Sequence, residues 1–159
     1  MTIPYRGETR GGIYFVTAST WEKQALLQSN RMAELCIDVL LQYRNQKKYL
    51  LHEFVVMPDH FHLLIAPLPP VTLEKAVQFI KGGFSFRAKK ELGVRTEIWQ
   101  TSFYDRRVRD SDEYERFRHY IHQNPVKRGL VVAAEGYRYS SLRTEFMMDK
   151  VPQWLKPVA

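Results

Sequence analysis

The sequence has 159 residues, of which 45% are hydrophobic and 26% charged, and its formal net charge at pH 7 is +7. This composition excludes a disordered, collagen-like or disulfide-stapled chain, and the single Cys36 permits neither a disulfide nor a cysteine-based zinc site. No apolar run approaches the ~18 residues that a membrane helix needs, and residues 1–12 contain no apolar signal segment, so we expect a cytoplasmic protein without a membrane partner.

The positive charge is concentrated in one third of the chain. Between Lys81 and Arg128 there are twelve basic and seven acidic residues, a net charge of +5 for this segment. A clustered excess of this kind favours a polyanionic partner, because neutralising phosphates releases bound counterions. A mildly basic surface that serves solubility is the plainer alternative.

The first half of the chain predicts a strand, a helix and a hairpin. The β-branched and aromatic residues 12–17 predict the first strand. Apolar residues then recur at helical spacing from Met32 to Tyr43, and either Ser29 or Asn30 can cap that helix. Two further apolar runs, 49–57 and 61–66, are separated by Pro58 and Asp59, which suit the centre of a tight turn.

The second half predicts two more helices and a last strand. Thr72 caps a second helix, which we expect to be interrupted at Gly82–Gly83 and to end at Gly93. Residues 99–108 read as an extended segment or strand. Asp110 followed by Glu113 predicts the start of a third helix, which we expect Pro125 to stop at Asn124.

The element order β-α-β-β-α-β with an added helix predicts an α+β protein. The expected architecture is a ferredoxin-like split βαβ sandwich, with a mostly antiparallel sheet and its helices on one face, plus an added C-terminal helix. No repeat or linker divides the chain, so we predict one domain over residues 1–159, with a core at about 11–141 and a short tail at 142–159.

His60 and His62 form the sharpest local motif. Residues i and i+2 of a strand point to the same face, so the two imidazoles should project side by side and could share one divalent metal ion. Two hydrogen-bonded histidines on a half-buried strand are the alternative. Histidine-triad nucleotide hydrolases need a third His on the strand, and this chain has Leu64 there.

A second motif lies near the end of the third helix. Tyr120 and Asn124 are four residues apart and therefore share one helix face, with Phe117 on the same side. His119 and His122 lie off that face, where we expect them to contact solvent or phosphate. Tyr104, in an arginine-rich extended segment, is the main competitor as a reactive tyrosine, although base stacking is its more ordinary role.

Three blocks of the chain resemble a known family. Residues 56–65 (VMPDHFHLLI), 99–110 (WQTSFYDRRVRD) and 120–130 (YIHQNPVKRGL) are similar, in order and spacing, to the single-tyrosine His-hydrophobe-His transposases. The REP-associated tyrosine transposases, relatives of the small insertion-sequence transposases, are the branch that the chain resembles best. The similarity extends from about residue 11 to residue 141.

The resemblance implies a role for each matching position. His60, His62 and Asn124 would be metal ligands for a divalent ion such as Mg²⁺ or Mn²⁺, and Tyr120 would be the nucleophile. Asp59 stands where the common family motif has Asn; it could add a carboxylate near the metal, but we expect it to serve the turn. The expected activity is nicking and rejoining of single-stranded DNA at hairpin-forming repeats through a 5′-phosphotyrosine intermediate.

The resemblance also implies a partner, and the residues leave two alternative functions open. We expect single-stranded DNA with REP-like hairpins as partner, a monomer or homodimer, and a bacterial, nucleoid-associated location. The alternative function is a non-catalytic single-stranded nucleic-acid-binding module on the same fold. A second alternative is a purely structural metal site, against which two His and one Asn form an open ligand set. The candidate DNA-binding residues are the basic side chains Lys81, Arg87, Arg106, Arg107 and Arg109.

Overall fold

The computed structural model describes residues 11–155, which form four strands and three α-helices in the order β-α-β-β-α-β-α. Their bounds, in chain order, are β1 Tyr14–Ser19, α1 Asn30–Asn45, β2 Tyr49–Met57, β3 His60–Pro67, α2 Leu73–Leu92, β4 Tyr104–Arg107 and α3 Ser111–Lys127. Short 3₁₀ turns occupy Trp21–Lys23, Ala134–Gly136, Thr144–Phe146 and Gln153–Leu155. The first ten residues, which cover most of the segment searched for a signal, and the last four residues of the predicted tail lie outside the described range.

The sheet has the strand order β2-β3-β1-β4, and every pairing of these strands is antiparallel. Pro58 and Asp59 form the turn between β2 and β3, as the sequence predicts. With α1 and α2 as the crossovers, this is the ferredoxin-like topology, and the predicted fold is confirmed.

The sheet is covered on both faces. Alternate residues of a strand point to opposite sides, and Phe61 of β3 packs against Trp99, which in turn packs against Phe84 of α2. The neighbouring residues His60 and His62 point the other way, toward α3. Helices α1 and α2 therefore close the face that holds most of the apolar core, and α3 is the added helix that lies across the other face.

The predicted helix caps are confirmed. The side chains of Ser29, Thr72 and Asp110 accept hydrogen bonds from the backbone N–H groups of residues 32, 75 and 113. Gly93 ends α2 in the left-handed conformation, with φ 69°, which glycine adopts without strain.

Two predicted boundaries were wrong. Helix α2 passes through Gly82–Gly83 without interruption, because Gly83 faces Tyr43 of α1 and its packing supports the helix there. Helix α3 continues three residues beyond Asn124, because Pro125 lies in the final turn and removes a single backbone hydrogen bond. Residues 99–108, predicted as a strand or an extended segment, contain the strand β4 at 104–107, and Trp99 makes an isolated bridge to Thr20.

The segment after α3 returns to the outer edge of β2. Backbone hydrogen bonds join Val56 N–H to Tyr139, Ser141 N–H to Phe54 and Asp149 N–H to Leu51. These bonds pair an edge that would otherwise expose unpaired backbone groups. None of the helices in the described range is long and apolar enough to cross a membrane.

Candidate active site

His60 and His62 lie side by side on β3, with ring centroids 4.6 Å apart and both rings buried. The neighbouring residues orient each ring. Asp59 Oδ1 lies 2.6 Å from Nδ1 of His60, and Thr17 Oγ1 lies 2.8 Å from Nδ1 of His62. Because a carboxylate only accepts, His60 donates through Nδ1, and in the neutral ring its Nε2 keeps a lone pair.

Helix α3 carries Tyr120 and Asn124 over this pair of histidines. Asn124 is buried, and its Oδ1 lies 3.2 Å from Nε2 of His60. Tyr120 is 42% exposed, and its ring contacts the His62 ring edge-to-face at 5.2 Å. The spacing of four residues on a helix thus brings the tyrosine and the carboxamide to the same pair of imidazoles.

The donor atoms fit a divalent metal ion. Nε2 of His62 is buried without a hydrogen-bond partner among the described residues, and Nε2 of His60 faces the acceptor oxygen of Asn124. Two acceptors about 2.9–3.4 Å apart are spaced like neighbouring ligands of an ion that binds each at about 2.1 Å. In the part of the chain that the structure describes, no group of three or more His, Cys, Asp or Glu residues could hold a metal, so a site here needs the Asn124 carboxamide.

Burial keeps His62 uncharged. Loss of solvent, followed by the electrostatic effects of the neighbouring His60 and of Arg128, lowers the pKa of His62 from 6.5 to about 3. An imidazole must be neutral to bind a metal, so His62 is in the ligand form throughout the physiological pH range.

An open cleft of about 540 Å³ lies between α3 and the sheet, and its walls include these residues. Phe15 forms the floor: its ring stacks on Phe117 at 4.5 Å and on His62 at 5.2 Å. Tyr104, 55% exposed, contacts the edge of Phe15. Tyr104, Thr17 and His62 lie in one row across three strands, which places Tyr104 on the cleft side of the sheet. Tyr104 of β4 and Tyr120 of α3 therefore line the same cleft.

The basic residues predicted to bind DNA are spread over both faces. Arg106 and Arg109 lie beside α3, where they approach Glu113 at 3.9 and 3.0 Å. Arg107 lies over the Tyr14 ring. Lys81 donates to the backbone carbonyls of residues 100 and 102, and Arg87 pairs with Glu91 on the α1–α2 side.

A buried polar group fastens α3 to the sheet. Nε2 of His122 lies 2.6 Å from Oε1 of Glu53 on β2, and the Ser141 hydroxyl donates to the same carboxylate at 2.8 Å. The prediction that His122 contacts solvent or phosphate was wrong, because residue 122 faces the edge strand of the sheet. His119 is exposed, as expected.

Several residues at the cleft were not singled out by the sequence. Thr17 reaches His62 through strand pairing, a long-range contact that no local pattern reveals. Arg116 and Arg128 lie at helical spacing from Tyr120, four before it and eight after it, so the helix periodicity carried this signal. Lys23 comes from the turn after β1, for which the sequence offers no comparable pattern.

Comparison with known proteins gives consistent results. The family described as "Transposase IS200 like" matches residues 12–124. The chain is 25% identical to a candidate REP-associated tyrosine transposase of Haemophilus influenzae, covering 93% of this chain and 89% of the relative. It is 22% identical to a REP-associated tyrosine transposase of Escherichia coli, with coverages of 90% and 84%.

Among solved structures, the fold is similar to that of a REP-associated tyrosine transposase bound to a REP hairpin. The TM-score is 0.74 at 22% identity, and the match covers 99% of this chain and 89% of the other. At this identity the similarity establishes the common fold.

Proposed function

This chain belongs to the IS200-like transposase family, and from that premise we propose that it is a metal-dependent enzyme that nicks and rejoins single-stranded DNA. Tyr120 is the proposed nucleophile, and His60, His62 and Asn124 are the proposed metal ligands. The protein would work as a bacterial, nucleoid-associated tyrosine transposase, as a monomer or homodimer.

One observation carries the proposal. Nε2 of buried His62 has no hydrogen-bond partner within residues 11–155, and the His62 ring lies next to the ring of a solvent-accessible tyrosine. A buried polar atom without a partner costs free energy, so its retention suggests a ligand that the atom binds. The Asn124 oxygen opposite His60 supplies a third donor from the same helix as Tyr120.

The chemistry requires a nucleophile, a charged substrate and a way to offset that charge. The Tyr120 hydroxyl attacks a backbone phosphorus, the bond from phosphorus to the 3′-oxygen breaks, and the 3′-hydroxyl leaves as the tyrosine proton is lost. A divalent ion, Mg²⁺ or Mn²⁺, would polarise the phosphate and offset the charge on its oxygens. Because the phosphotyrosine ester keeps the bond energy, a second 3′-hydroxyl can displace Tyr120 and rejoin the strands.

The substrate that we propose is single-stranded DNA with a REP-like hairpin. The related protein of known structure is bound to a REP hairpin, and the relatives found by sequence are REP-associated transposases. The charge of this chain, +7, and its excess of basic residues between Lys81 and Arg128 favour a polyanionic substrate.

The decisive experiment looks for a covalent adduct between the protein and DNA. We expect hairpin-bearing single-stranded DNA, incubated with Mg²⁺ or Mn²⁺, to give an adduct that survives denaturing electrophoresis. Tyr120→Phe should abolish the adduct and retain DNA binding. An excess of chelator should inhibit the wild type reversibly.

Tyr104→Phe is the matched control, because Tyr104 faces the same cleft and is similarly exposed. It should keep adduct formation. Loss in Tyr104→Phe with full activity in Tyr120→Phe would show that the nucleophile is wrong. Binding without an adduct under any metal condition would favour the non-catalytic alternative.

A further inference from the structure

Two cations lie at the end of the cleft beside the His60 ring, and neither was predicted to bind DNA. Lys23 and Arg128 both line the main cleft, and both also line a smaller adjoining cavity of about 170 Å³ next to Asp59. Both side chains are exposed, and neither makes a hydrogen bond or an ion pair with any described residue.

The turn that carries Lys23 is tied directly to the turn that carries Asp59. The backbone N–H of Thr20 donates to the Asp59 carbonyl at 2.9 Å, and the Thr20 hydroxyl lies 3.1 Å from the same oxygen and 2.6 Å from the carbonyl of Gln24. Thr20 is fully buried. The position of Lys23 relative to His60 is therefore fixed by the fold.

The backbone of this turn is strained. Glu22 and Lys23 both have φ of 53°, in the left-handed region that residues with a side chain rarely adopt. Each such residue costs about 1 kcal/mol or more, and conformations of this kind cluster where a side chain has to be held for function. Neither residue is buried, so core packing does not explain the strain.

We propose that Lys23 and Arg128 form an anion subsite that binds a backbone phosphate of the single-stranded segment next to the one that Tyr120 attacks. The inference rests on the proposed function and adds the residues that hold the strand at the His60 end of the cleft. Arg128 caps the C-terminal end of α3 four residues after Asn124, so it continues the row of Tyr120 and Asn124 just past the last turn of the helix. Two cations that form no ion pair with a described residue, in the cleft that also holds the proposed nucleophile, suit a phosphodiester.

The subsite defines a path for the substrate strand along the cleft. At one end Arg116, one turn before Tyr120, lies 3.9 Å from Glu113, a carboxylate that Arg106 and Arg109 also approach. At the other end Lys23 and Arg128 have no acidic partner among the described residues. A strand whose phosphates follow these side chains would therefore meet cations on both sides of the metal ligands.

The test compares Lys23→Gln and Arg128→Gln with Lys47→Gln. Lys47 is the matched control because it is an exposed lysine whose φ is also positive, 64°. It precedes β2 at Tyr49, whereas the cleft lies near Met57, about 27 Å further along the strand. Binding is measured by fluorescence anisotropy without metal, over a range of salt, for a hairpin with a single-stranded flank and for the same hairpin without a flank.

We expect Lys23→Gln and Arg128→Gln each to weaken binding of the flanked hairpin about three- to tenfold at 0.1 M salt. Each should also reduce the slope of log affinity against log salt by about 0.7, the value for one phosphate contact on a single strand. Binding of the unflanked hairpin should not change, and Lys47→Gln should match the wild type with both DNAs.

Equal salt slopes for the Lys23, Arg128 and Lys47 variants would overturn the subsite. The proposed function would still stand in that case if the wild-type protein forms the covalent adduct. A loss that is the same with and without the flank would also overturn it, since it would place the two cations on the hairpin stem. A wild type that binds neither DNA would overturn the proposed function itself, and the subsite with it.

Discussion

At the scale of single residues, the hydroxyl of Thr17 determines how His62 presents its ring. Thr17 Oγ1 lies 2.8 Å from Nδ1 of His62, so a proton on Nδ1 leaves the lone pair of Nε2 directed away from β1. Such outer partners fix the tautomer and the orientation of a metal-binding histidine. Thr17 would then support the proposed site without touching substrate or metal.

Thr17→Val should lower the affinity for Mn²⁺ about 10- to 100-fold, because His62 loses the group that fixes its tautomer. Isothermal titration measures the affinity directly. Ser19→Ala is the control: Ser19 lies on the same strand, lines the same cleft and pairs with His60 in register, but its hydroxyl makes no hydrogen bond with a described residue. Equal Mn²⁺ affinity in Thr17→Val and Ser19→Ala would contradict the role of Thr17.

Residue placement could be predicted wherever one element carried the pattern. The two-residue period of a strand put His60 and His62 on one face, and the helical period put Tyr120 above Asn124; the structure brings these four residues together. Thr17 and Lys23 could not be predicted, because they reach the cleft through pairing between β1 and β3 and through a turn tied to Asp59. Contacts of that kind depend on tertiary structure.

At the scale of secondary-structure elements, α2 contains two adjacent glycines in different surroundings. A Cβ added to Gly82 would meet nothing within 4 Å, whereas one added to Gly83 would lie 2.6 Å from the Tyr43 ring, which itself stacks on Phe79. The close approach of α1 and α2 therefore depends on Gly83 alone.

We expect the two alanine substitutions to have opposite signs. Gly82→Ala should raise the free energy of unfolding by about 0.5–1 kcal/mol, because alanine favours the helix and fits the space. Gly83→Ala should lower it by about 1–3 kcal/mol, since Tyr43 has to move. Urea unfolding measures both, and destabilisation of equal size in the two variants would contradict this account.

Helix α3 depends on Glu53 for its attachment to the sheet. Burial acts to raise the pKa of Glu53, but hydrogen bonds from His122 and Ser141 outweigh it, so the pKa lies below its ordinary value of 4.5. The carboxylate is therefore charged at neutral pH. Its stabilising contribution is present above about pH 4.5 and is lost as the pH falls through the lowered pKa.

Glu53→Ala should lower the free energy of unfolding at pH 7 by about 2–4 kcal/mol, because it leaves His122 buried without a partner. It should also reduce adduct formation, since α3 carries Tyr120. Glu115→Ala on α3 is the control. Glu115 pairs with Arg118 at 3.5 Å, but its side chain is 56% exposed, so its loss should lower the free energy of unfolding by less than about 1 kcal/mol. Equal losses in chemical denaturation would show that Glu53 does not anchor the helix.

The helix boundaries that were predicted wrongly are those where packing and hydrogen bonding, rather than local sequence, stabilise the helix. Glycine pairs and prolines usually end helices, yet α2 and α3 continue past them because packing against α1 and hydrogen bonding in the last turn support them. For residues 99–108 the sequence left a strand or an extended segment open, and the strand forms at 104–107 because these residues pair with β1. Capping residues were predicted correctly because each cap is a local interaction.

At the scale of the whole molecule, the two faces of the sheet have different tasks. Helices α1 and α2 bury the apolar core on one face, and α3 crosses the other face but leaves an open cleft of about 540 Å³. The cleft has aromatic walls, from Phe15, Tyr104 and Phe117, and cations at both ends. That combination accommodates an unstacked base together with its backbone.

The shape of the cleft leads to a prediction about substrate form. A base that enters the cleft has to leave its stack, and in a fully paired duplex this costs a few kcal/mol that a single-stranded flank does not require. We expect a linear duplex to bind through its phosphates in a salt-dependent way, but to give about 100-fold less adduct than a hairpin with a single-stranded flank. An unpaired bubble at the cleavage position should restore the adduct, because it removes the cost of unpairing while length and charge stay the same. Adduct yields compared on denaturing gels at one salt and metal concentration provide the test, and equal cleavage of the paired duplex would contradict the requirement for a single strand.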